Sequence, residues 1–316
     1  MIDLAMLGIG GGMPLPGRYL SAGLLNFKGR KILIDCGEGT QVSMRELGWG
    51  FKSIDIICIT HGHGDHTVGI PGLLATIGNS GRETPLTIIG PKGIKEIITG
   101  LRVIAPYLPY DINVIEASDS KFKFAIEDGE LKLIDKNKTC FEPLEISTIS
   151  VEHSAPCISY SFNIKRTAQF DIDKAIQNNV PKPLWGKLQK GGALEFEGIT
   201  YTPALVLGQD RDGLKFSYVT DTRTIPKIVD FIKDSNLFVC EGTYGDDEDI
   251  DKAIQNKHMT FREAATLAKD ANVEELLLTH FSPAMPNPSL FISNAREVFE
   301  NTTIGEAHMI KKLIFK

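Results

Sequence analysis

The stretch ITHGHGDHTVG, residues 59–69, concentrates side chains that could bind metal. His61, His63, Asp65 and His66 lie within six residues and are separated mostly by glycines. Imidazole and carboxylate groups are common metal ligands, and glycine lets the backbone bend tightly around an ion. Helical zinc motifs place two histidines at i and i+4, whereas His61 and His63 are i and i+2. The spacing therefore predicts a metal-binding loop whose side chains diverge toward two points.

Other residues of the same chemical types follow apolar, strand-like runs. His61 ends DIICITH, His153 ends LEISTISVEH, Asp221 follows LKFSYVT and His280 ends EELLLTH. In layered α/β proteins the carboxyl ends of strands form a rim where ligands gather. We therefore expect these residues to meet there. The full candidate set is His61, His63, Asp65, His66, His153, Asp221 and His280.

The size of this set indicates how many ions it binds. One tetrahedral ion needs three or four ligands. Seven candidates, among them a carboxylate that could bridge, fit two ions about 3.5–4 Å apart. Two such ions clamp the attacking and leaving oxygens of a phosphate or acyl group. The sequence alone favours a dinuclear hydrolase.

The composition limits the remaining possibilities. The 316 residues are 42% hydrophobic, which suffices for a globular core, and carry a net charge of −6. Any contact with nucleic acid must therefore be local. The five cysteines form no C-x-x-C motif, and four lie in or beside apolar runs, which is typical of a reduced, cytosolic protein. We expect no signal peptide and no membrane span, since the first residues lack a basic region and no long apolar run exists.

The wider pattern alternates short β-rich runs with amphipathic helical runs, which predicts an α/β fold. Examples are strand LTIIG, helix GIKEIITGLRVI and strand INVIEA, followed by a hairpin that turns at Asp128-Gly129. The GIGGG segment lacks the G-x-G-x-x-G spacing of a dinucleotide site. We interpret it as a tight turn beside the metal rim.

These motifs resemble the metallo-β-lactamase superfamily, whose H-x-H-x-D-H signature residues 61–66 match. The closer resemblance, over nearly the whole chain, is to the ribonuclease Z (tRNase Z) family. It rests on LGIGGGMP, LIDCGEGTQ, THGHGDHTVGIPGLL, VEHSAP, VTDTR and LLLTHFS. The resemblance implies a four-layer αββα sandwich formed by a single domain over 1–316. It also implies two zinc ions, a homodimer, and endonucleolytic trimming of precursor tRNA 3′ trailers.

The resemblance also implies roles for individual residues. The first metal would be held by His61, His63 and His153, and the second by Asp65, His66 and His280, with Asp221 bridging. Asp65 would in addition orient or deprotonate the attacking water. His258 resembles the family's catalytic histidine outside the metal shell. It precedes a predicted capping box of Thr260 and Glu263, and Glu241 is the nearest candidate for its acidic partner.

Substrate contacts are expected from three places. Arg18 matches the family near the tRNA acceptor end, although Pro16 and Tyr19 replace its usual Lys and Asn. Arg223, beside Asp221, suits phosphate recognition, with a surface ion pair as the equal alternative. A family arm that grips the tRNA elbow corresponds to 165–191, which carries a net charge of +4, and Lys182-Pro183 replaces its Gly-Pro pair. The predicted arm contacts are Lys182, Lys187 and Lys190.

Two other functions remain open at this stage. A metallo-β-lactamase-fold hydrolase of small phosphodiesters, or of another small molecule, would have a short arm or none. An RNA-binding module with structural metals is disfavoured, because structural zinc sites are closed and usually rich in cysteine. The ligand types accept manganese as well as zinc.

Overall fold

Two β-sheets packed face to face form the centre of the molecule. The structure is a computed structural model that describes residues 2–138, 140 and 142–316. The described strands are β1 (Ile2–Gly8), β2 (Ala22–Phe27), β3 (Arg30–Ile34), β4 (Ile54–Cys58), β5 (Leu86–Gly90), β6 (Ile112–Glu116), β7 (Ser120–Glu127), β8 (Glu130–Ile134), β9 (Leu144–Val151), β10 (Cys157–Arg166), β11 (Leu194–Phe196), β12 (Ile199–Tyr201), β13 (Arg211–Val219), β14 (Leu237–Glu241), β15 (Leu276–Thr279), β16 (Thr302–Ile304) and β17 (Ile310–Leu313).

Helices cover the outer faces of both sheets. The described α-helices are α1 (Thr40–Leu47), α2 (Gly64–Thr67), α3 (Ile70–Asn79), α4 (Ile94–Leu101), α5 (Ile172–Gln177), α6 (Lys182–Gln189), α7 (Pro226–Ile232), α8 (Ile250–Asn256), α9 (Phe261–Asp270) and α10 (Ile292–Arg296). Within the described ranges, no helix combines the length and the apolar character needed to cross a bilayer.

The first sheet has the strand order β17-β1-β2-β3-β4-β5-β6, and the second β16-β15-β14-β13-β10-β9-β7-β8. Strands β3 to β6 run parallel to one another, as do β13 to β16. The carboxyl ends of each parallel set therefore lie along one edge of its sheet. This arrangement gives the predicted rim of strand ends.

The side-chain alternation of β4 shows how the layers are held together. Ile56 and Cys58 belong to the core cluster that also contains Phe162 and Phe216 of the second sheet. Ile57 lies on the opposite face, in a separate cluster with buried residues of α3. A strand buried on both faces is typical of a parallel sheet between layers. The predicted four-layer αββα sandwich is confirmed.

The predicted strands extend further toward their carboxyl ends than the observed ones. Strands β4, β9, β13 and β15 all end before the ligand-type residue that follows them, by one to three residues. The candidate side chains therefore lie on loops just beyond the strands. Because such loops need not continue the extended geometry, they can aim several side chains at one place.

The segment inserted between β10 and β13 is longer than the predicted arm, residues 165–191. Strand β10 ends at Arg166 and β13 begins at Arg211, and between them lie α5, α6 and the hairpin β11–β12. This insertion, residues 167–210, has its own apolar cluster, which includes Leu184 and Leu188 of α6 and Tyr201 of β12. The hairpin thus belongs to the same packed unit, and the predicted end at 191 falls too early.

The charge of the insertion also differs from the expectation. Residues 167–210 contain four lysines and five acidic residues, a net charge of −1. The difference arises because Lys165 and Arg166 belong to β10 and because 192–210 adds three acidic residues. The positive charge is concentrated on α6, where Lys182 and Lys187 are exposed while Leu184 and Leu188 are buried. The insertion therefore presents one basic helix face and is not basic throughout.

Candidate metal centre

The loop after β4 and the short helix α2 position the first group of candidate ligands. His61 follows Thr60, whose backbone N–H donates to Asp35 Oδ1 at 2.8 Å. His63 is the N-cap residue of α2, and the helix carries Asp65 and His66 one after the other. Consecutive residues on a helix point in different directions. The spacing HGHGDH therefore distributes its four side chains around a volume, and they do not lie on one face.

Three residues at strand ends adopt the left-handed conformation. The φ angles are 57° at Asp35, 51° at Asp221 and 57° at His280. Residues other than glycine rarely adopt positive φ, although Asp and His tolerate it better than most. Such backbone costs about 1–3 kcal/mol per residue and concentrates at functional sites. Here it turns the chain sharply after β3, β13 and β15, and brings the three side chains toward the rim.

Four donor atoms form a first group between the two sheets. His61 Nε2 lies 2.9 Å from His63 Nδ1, which lies 3.2 Å from His153 Nε2. Asp221 Oδ2 is 3.6 Å from His61 Nε2 and 3.9 Å from His153 Nε2. His153 Nδ1 points away toward the carbonyl of Lys257, at 3.2 Å. The side chains of His61 and His153 are almost fully buried.

A second group shares Asp221 with the first. His66 Nε2 and His280 Nε2 are 3.2 Å apart. Asp65 Oδ2 lies 3.5 Å from His66 Nε2 and 3.4 Å from His280 Nε2. Asp221 Oδ1 lies 3.4 Å from His66 Nε2 and 3.2 Å from His280 Nε2. The two oxygens of Asp221 thus face different groups.

These distances fit metal coordination. Ligand atoms placed about 2.0–2.2 Å from a tetrahedral ion lie roughly 3.3–3.6 Å from one another. The five measured edges of the second group, 3.2–3.5 Å, match this spacing. The first group is less regular, with edges from 2.9 to 3.9 Å. The donor set of imidazoles and carboxylates, together with the fold, implies a divalent metal.

A further shell of hydrogen bonds orients the imidazole rings. Asp35 Oδ2, fully buried, lies 2.8 Å from His66 Nδ1. Thr60 Oγ1 donates to Asp35 and lies 3.1 Å from His61 Nδ1. Bonds of this kind hold a histidine's other nitrogen toward the ion. Asp35 and Thr60 were not among the predicted site residues, although LIDCG places Asp35 directly after an apolar strand, as with the predicted ligands.

On the opposite side, a threonine links the metal group to the candidate catalytic histidine. Thr243 Oγ1 lies 3.0 Å from His280 Nδ1 and donates to Glu241 Oε2 at 2.6 Å. Glu241 Oε2 in turn lies 3.0 Å from His258 Nδ1. Glu241 is therefore the carboxylate partner of His258. The predicted capping box of Thr260 and Glu263 is confirmed immediately downstream.

The triple glycine packs against this site. A Cβ atom on Gly11 would lie 2.4 Å from the His280 ring, so only glycine fits there. The backbone N–H of Gly12, at φ 74°, donates to Asp65 Oδ2 at 2.7 Å. The prediction of a tight turn beside the rim is confirmed.

The electrostatics of the site favour cations. The imidazoles of His280 and His66 hold the pKa of Asp65 below its usual range, against the opposing effect of burial. Burial likewise opposes ionisation of Asp221, but His280 and His66 lower its pKa well below the ordinary value. Both carboxylates line an open cavity of about 350 Å³, and no Lys or Arg is among its described lining residues. A phosphate could enter only if bound cations neutralised the carboxylates.

His258 also faces this cavity. Burial alone would lower its pKa, but the charge of Glu241 and its hydrogen bond raise the pKa to about 9. The ring stacks on His280, with centroids 5.5 Å apart. A histidine with this pKa is protonated at neutral pH and can donate a proton to a leaving oxygen.

The two predicted arginines are occupied by the protein itself. Arg18 donates to the carbonyls of Met285, at 2.9 Å, and Pro286, at 2.8 Å. Arg223 pairs with Glu263 and also donates to the carbonyl of His258. Neither residue lines the metal cavity. Both guanidinium groups fix loops around the site in this structure.

Comparison with known proteins agrees with the fold. A family model described as "Anti-Pycsar protein Apyc1" matches residues 2–188. One described as "Beta-lactamase superfamily domain" matches residues 189–281. The protein named Ribonuclease Z from Clostridium botulinum (strain Eklund 17B / Type B) is 58% identical over 315 residues, covering 100% of this chain and 99% of the relative. The chain belongs to the ribonuclease Z family.

Solved structures extend this similarity at the level of the fold. The human tRNase Z, short form, matches with a TM-score of 0.66 and 24% identity, covering 99% of this chain and 100% of that one. The metallo-β-lactamase fold protein YhfI from Bacillus subtilis matches with a TM-score of 0.68 and 18% identity, over 99% and 100% of the chains. The predicted ribonuclease Z resemblance is thus confirmed by sequence over the full chain, and the fold by structure.

Proposed function

We propose that this protein is an endoribonuclease that removes 3′ trailers from precursor tRNA by metal-dependent phosphodiester hydrolysis, leaving a 3′-hydroxyl. The observation that carries the proposal is the 58% identity to a Ribonuclease Z along essentially the whole of both chains. The geometry of the rim supports it, since seven donor residues form two groups at the strand ends and five of the seven line an open cavity, which a phosphate could enter once cations are bound.

The proposed cofactor is a pair of zinc ions, with manganese as a chemically acceptable replacement. His61, His63 and His153 would hold one ion, and Asp65, His66 and His280 the other. Asp221 would serve both, because its two oxygens face different groups. When bound, such ions activate water for attack at neutral pH and neutralise the charge that develops on the phosphate.

The chain's own residues then arrange the reaction. The Gly12 N–H holds Asp65 in place, and Asp65 is ionised, so it can accept a hydrogen bond from the attacking water and orient it. In the role that the family resemblance implies, Asp65 would also take up the proton that this water loses. His258, positioned by Glu241, would donate a proton to the O3′ that leaves as the bond from phosphorus to O3′ breaks. Water thus adds to phosphorus, and the phosphate remains on the trailer. Asp65 and His258 are the proposed catalytic residues.

The insertion is the proposed grip on the folded RNA. Lys182, Lys187 and Lys190 are all exposed at α6 and its carboxyl end, opposite the buried leucines of that helix. Lysines on one face can displace the counterions condensed on RNA phosphates. Since Arg18 and Arg223 are bound internally, α6 is the stronger candidate for direct RNA contact.

A homodimer and a cytoplasmic location complete the proposal, and four buried free cysteines suit a reducing compartment.

The test is cleavage of a precursor tRNA transcript, with bis(p-nitrophenyl) phosphate assayed in parallel. We expect one cut directly after the discriminator base, and loss of both activities in His66→Ala. His308→Ala is the matched histidine control, because His308 contacts Ser43 and lies outside the metal groups. Hydrolysis of the small diester without cleavage of any precursor would instead favour a small-molecule hydrolase.

A further inference from the structure

A second cavity, which we call the side cavity, opens next to the metal cavity. It has a volume of about 420 Å³ and lies between residues 243–252, which follow β14, and residues 282–291, which follow β15. Thr243, Tyr244 and Ser282 line both cavities. A ligand whose reacting group lies in the metal cavity can therefore extend directly into the side cavity.

The interior of the side cavity is apolar and partly aromatic. Met285 is buried and Phe291 packs against the main core, whereas Leu290 is 73% exposed and forms part of the rim. A Cβ atom on Gly245 would lie 2.7 Å from both Met285 Sδ and the Phe291 ring, so glycine lets the wall pack closely. Such a lining suits a flat, apolar ring, which gains from contact with aromatic and aliphatic side chains.

The charges around this cavity disfavour a phosphate. Its lining includes Asp246, Asp249 and Lys252, and the lysine pairs with Asp249 at 2.5 Å. With two aspartates and one lysine, the lining of the side cavity carries a net negative charge, which would repel a phosphate group. The same lining would not repel an uncharged ring system whose attached phosphate lies outside the side cavity.

We infer that the side cavity receives the base of a nucleotide next to the scissile phosphate. This inference rests on the proposed function, because it assumes an RNA substrate in the metal cavity. The base stacks against Tyr244, Phe291 and Leu290, while the phosphate stays with the metal groups. Stacking uses the flat face that every base has, so the cavity accepts many trailer or acceptor-end sequences.

Arg18 gives this cavity its shape. Its guanidinium donates to the carbonyls of Met285 and Pro286 and, at 3.4 Å, to that of Ser282. All three residues line the side cavity. Arg18 is thus a positioning residue for the base-binding wall.

The experiment measures kcat/KM on three precursor tRNAs: one intact, and two with an abasic nucleotide either directly before or directly after the cut. For the unaltered protein we expect about a tenfold loss with one abasic substrate, the factor that about 1.4 kcal/mol represents. Leu290→Ser should lower cleavage of the intact precursor by a similar factor. It should leave cleavage of that abasic precursor unchanged, because the lost contact partner is already absent.

Leu133→Ser is the matched control, because Leu133 is also an exposed leucine but lies on β8, and it should behave like the unaltered protein on all three substrates. Arg18→Lys should reproduce the Leu290→Ser pattern, since it disturbs the same wall. Equal losses on intact and abasic precursors would show a general structural role and overturn the inference. Cleavage that ignores both abasic positions would overturn it alone, whereas no cleavage of the intact precursor would overturn the proposed function as well.

Discussion

Arg223 and Glu263 form a two-pronged ion pair across the start of α9, with Nη1 to Oε2 at 3.0 Å. The same guanidinium donates to the carbonyl of His258. Glu263 also accepts from the backbone N–H of Thr260 in the capping box. Arg223, two positions after Asp221, therefore fixes the loop that presents His258. The metal centre and the proposed general acid are thus positioned together.

Arg223→Ala should lower turnover of precursor tRNA and of bis(p-nitrophenyl) phosphate together, by about tenfold to a hundredfold. A small displacement of a catalytic group is enough to cause such a loss. Steady-state kinetics on both substrates measure it, with Arg45→Ala, an exposed arginine of α1, as the control. A loss confined to the RNA would instead assign Arg223 to substrate contact.

The pair of Glu241 and His258 predicts a pH dependence. Burial lowers the pKa of His258, but Glu241 raises it to about 9, so the proposed general acid keeps its proton at neutral pH and loses it as the pH rises through that value. Glu241→Gln removes the charge that raises the pKa, and the alkaline fall in kcat should therefore begin at lower pH.

A pH–rate profile on precursor tRNA measures this shift, and Glu248→Gln, an exposed acidic residue nearby, should leave the profile unchanged. An alkaline limb that stays in place in Glu241→Gln would mean that another group controls it.

Asp221 should determine the metal content, because its two oxygens face the two donor groups. Elemental analysis of the purified protein should approach two metals per chain. In Asp221→Ala the content should fall and turnover should be abolished, while Asp230→Ala, an exposed aspartate of α7, should keep both. Full activity of Asp221→Ala with one metal would contradict the dinuclear proposal.

Asp35 should control how firmly the metal is held, without being a ligand. Asp35→Asn tolerates the left-handed backbone and keeps the size of the side chain, but removes the charge beside His66 Nδ1. Loss of such an outer partner weakens metal binding by about tenfold to a hundredfold. Competition with a metal-binding dye measures the affinity. The exposed Asp111→Asn serves for comparison, and equal affinities in the two variants would make Asp35 a purely structural residue.

Replacing the insertion, residues 167–210, with a short Gly-Ser link should separate capture of RNA from chemistry. The insertion has its own apolar cluster, so its removal should spare the sandwich. Cleavage of precursor tRNA should fall steeply, whereas the small diester should be hydrolysed at nearly the original rate.

A milder variant tests charge alone. Lys182→Ser, Lys187→Ser and Lys190→Ser together should weaken RNA cleavage and reduce its dependence on salt. The same change at three other exposed lysines, Lys92, Lys95 and Lys233, is the control. Equal losses on RNA and small diester after deletion would mean that the insertion supports the fold of the active site.

The sequence predicted the fold and the convergence of donor residues because both follow from local patterns. Apolar runs ending in His or Asp identify strand ends, and strand ends of a parallel set share one edge. The ligand roles themselves stay a prediction. Asp35 follows an apolar strand as Asp221 does, but it was missed because the sequence does not reveal its contact with the ring of His66. Thr243 was missed because a threonine hydroxyl has many possible partners.

The partners of the two arginines, Arg18 and Arg223, could not be predicted from the sequence for a different reason. A guanidinium beside a predicted site suits a phosphate and a carboxylate equally well, and sequence does not reveal which partner is nearer. The partner carbonyls of Arg18 lie more than 260 positions away along the chain. The extent of the insertion was likewise hidden, since the hairpin β11–β12 contributes to its core through residues such as Leu194 and Tyr201 that look unremarkable in sequence.

The candidate ligands come from both halves of the sandwich. Four follow β4 of the first sheet, and three follow β9, β13 and β15 of the second. Ions bound there would link the two sheets to each other. Because a ligand that binds only the folded chain shifts the folding equilibrium toward the folded state, these ions would stabilise the protein. With such ions bound, the lifetime of this protein in a cell would depend on the supply of metal, and starvation for the ion would remove the molecule itself as well as its chemistry.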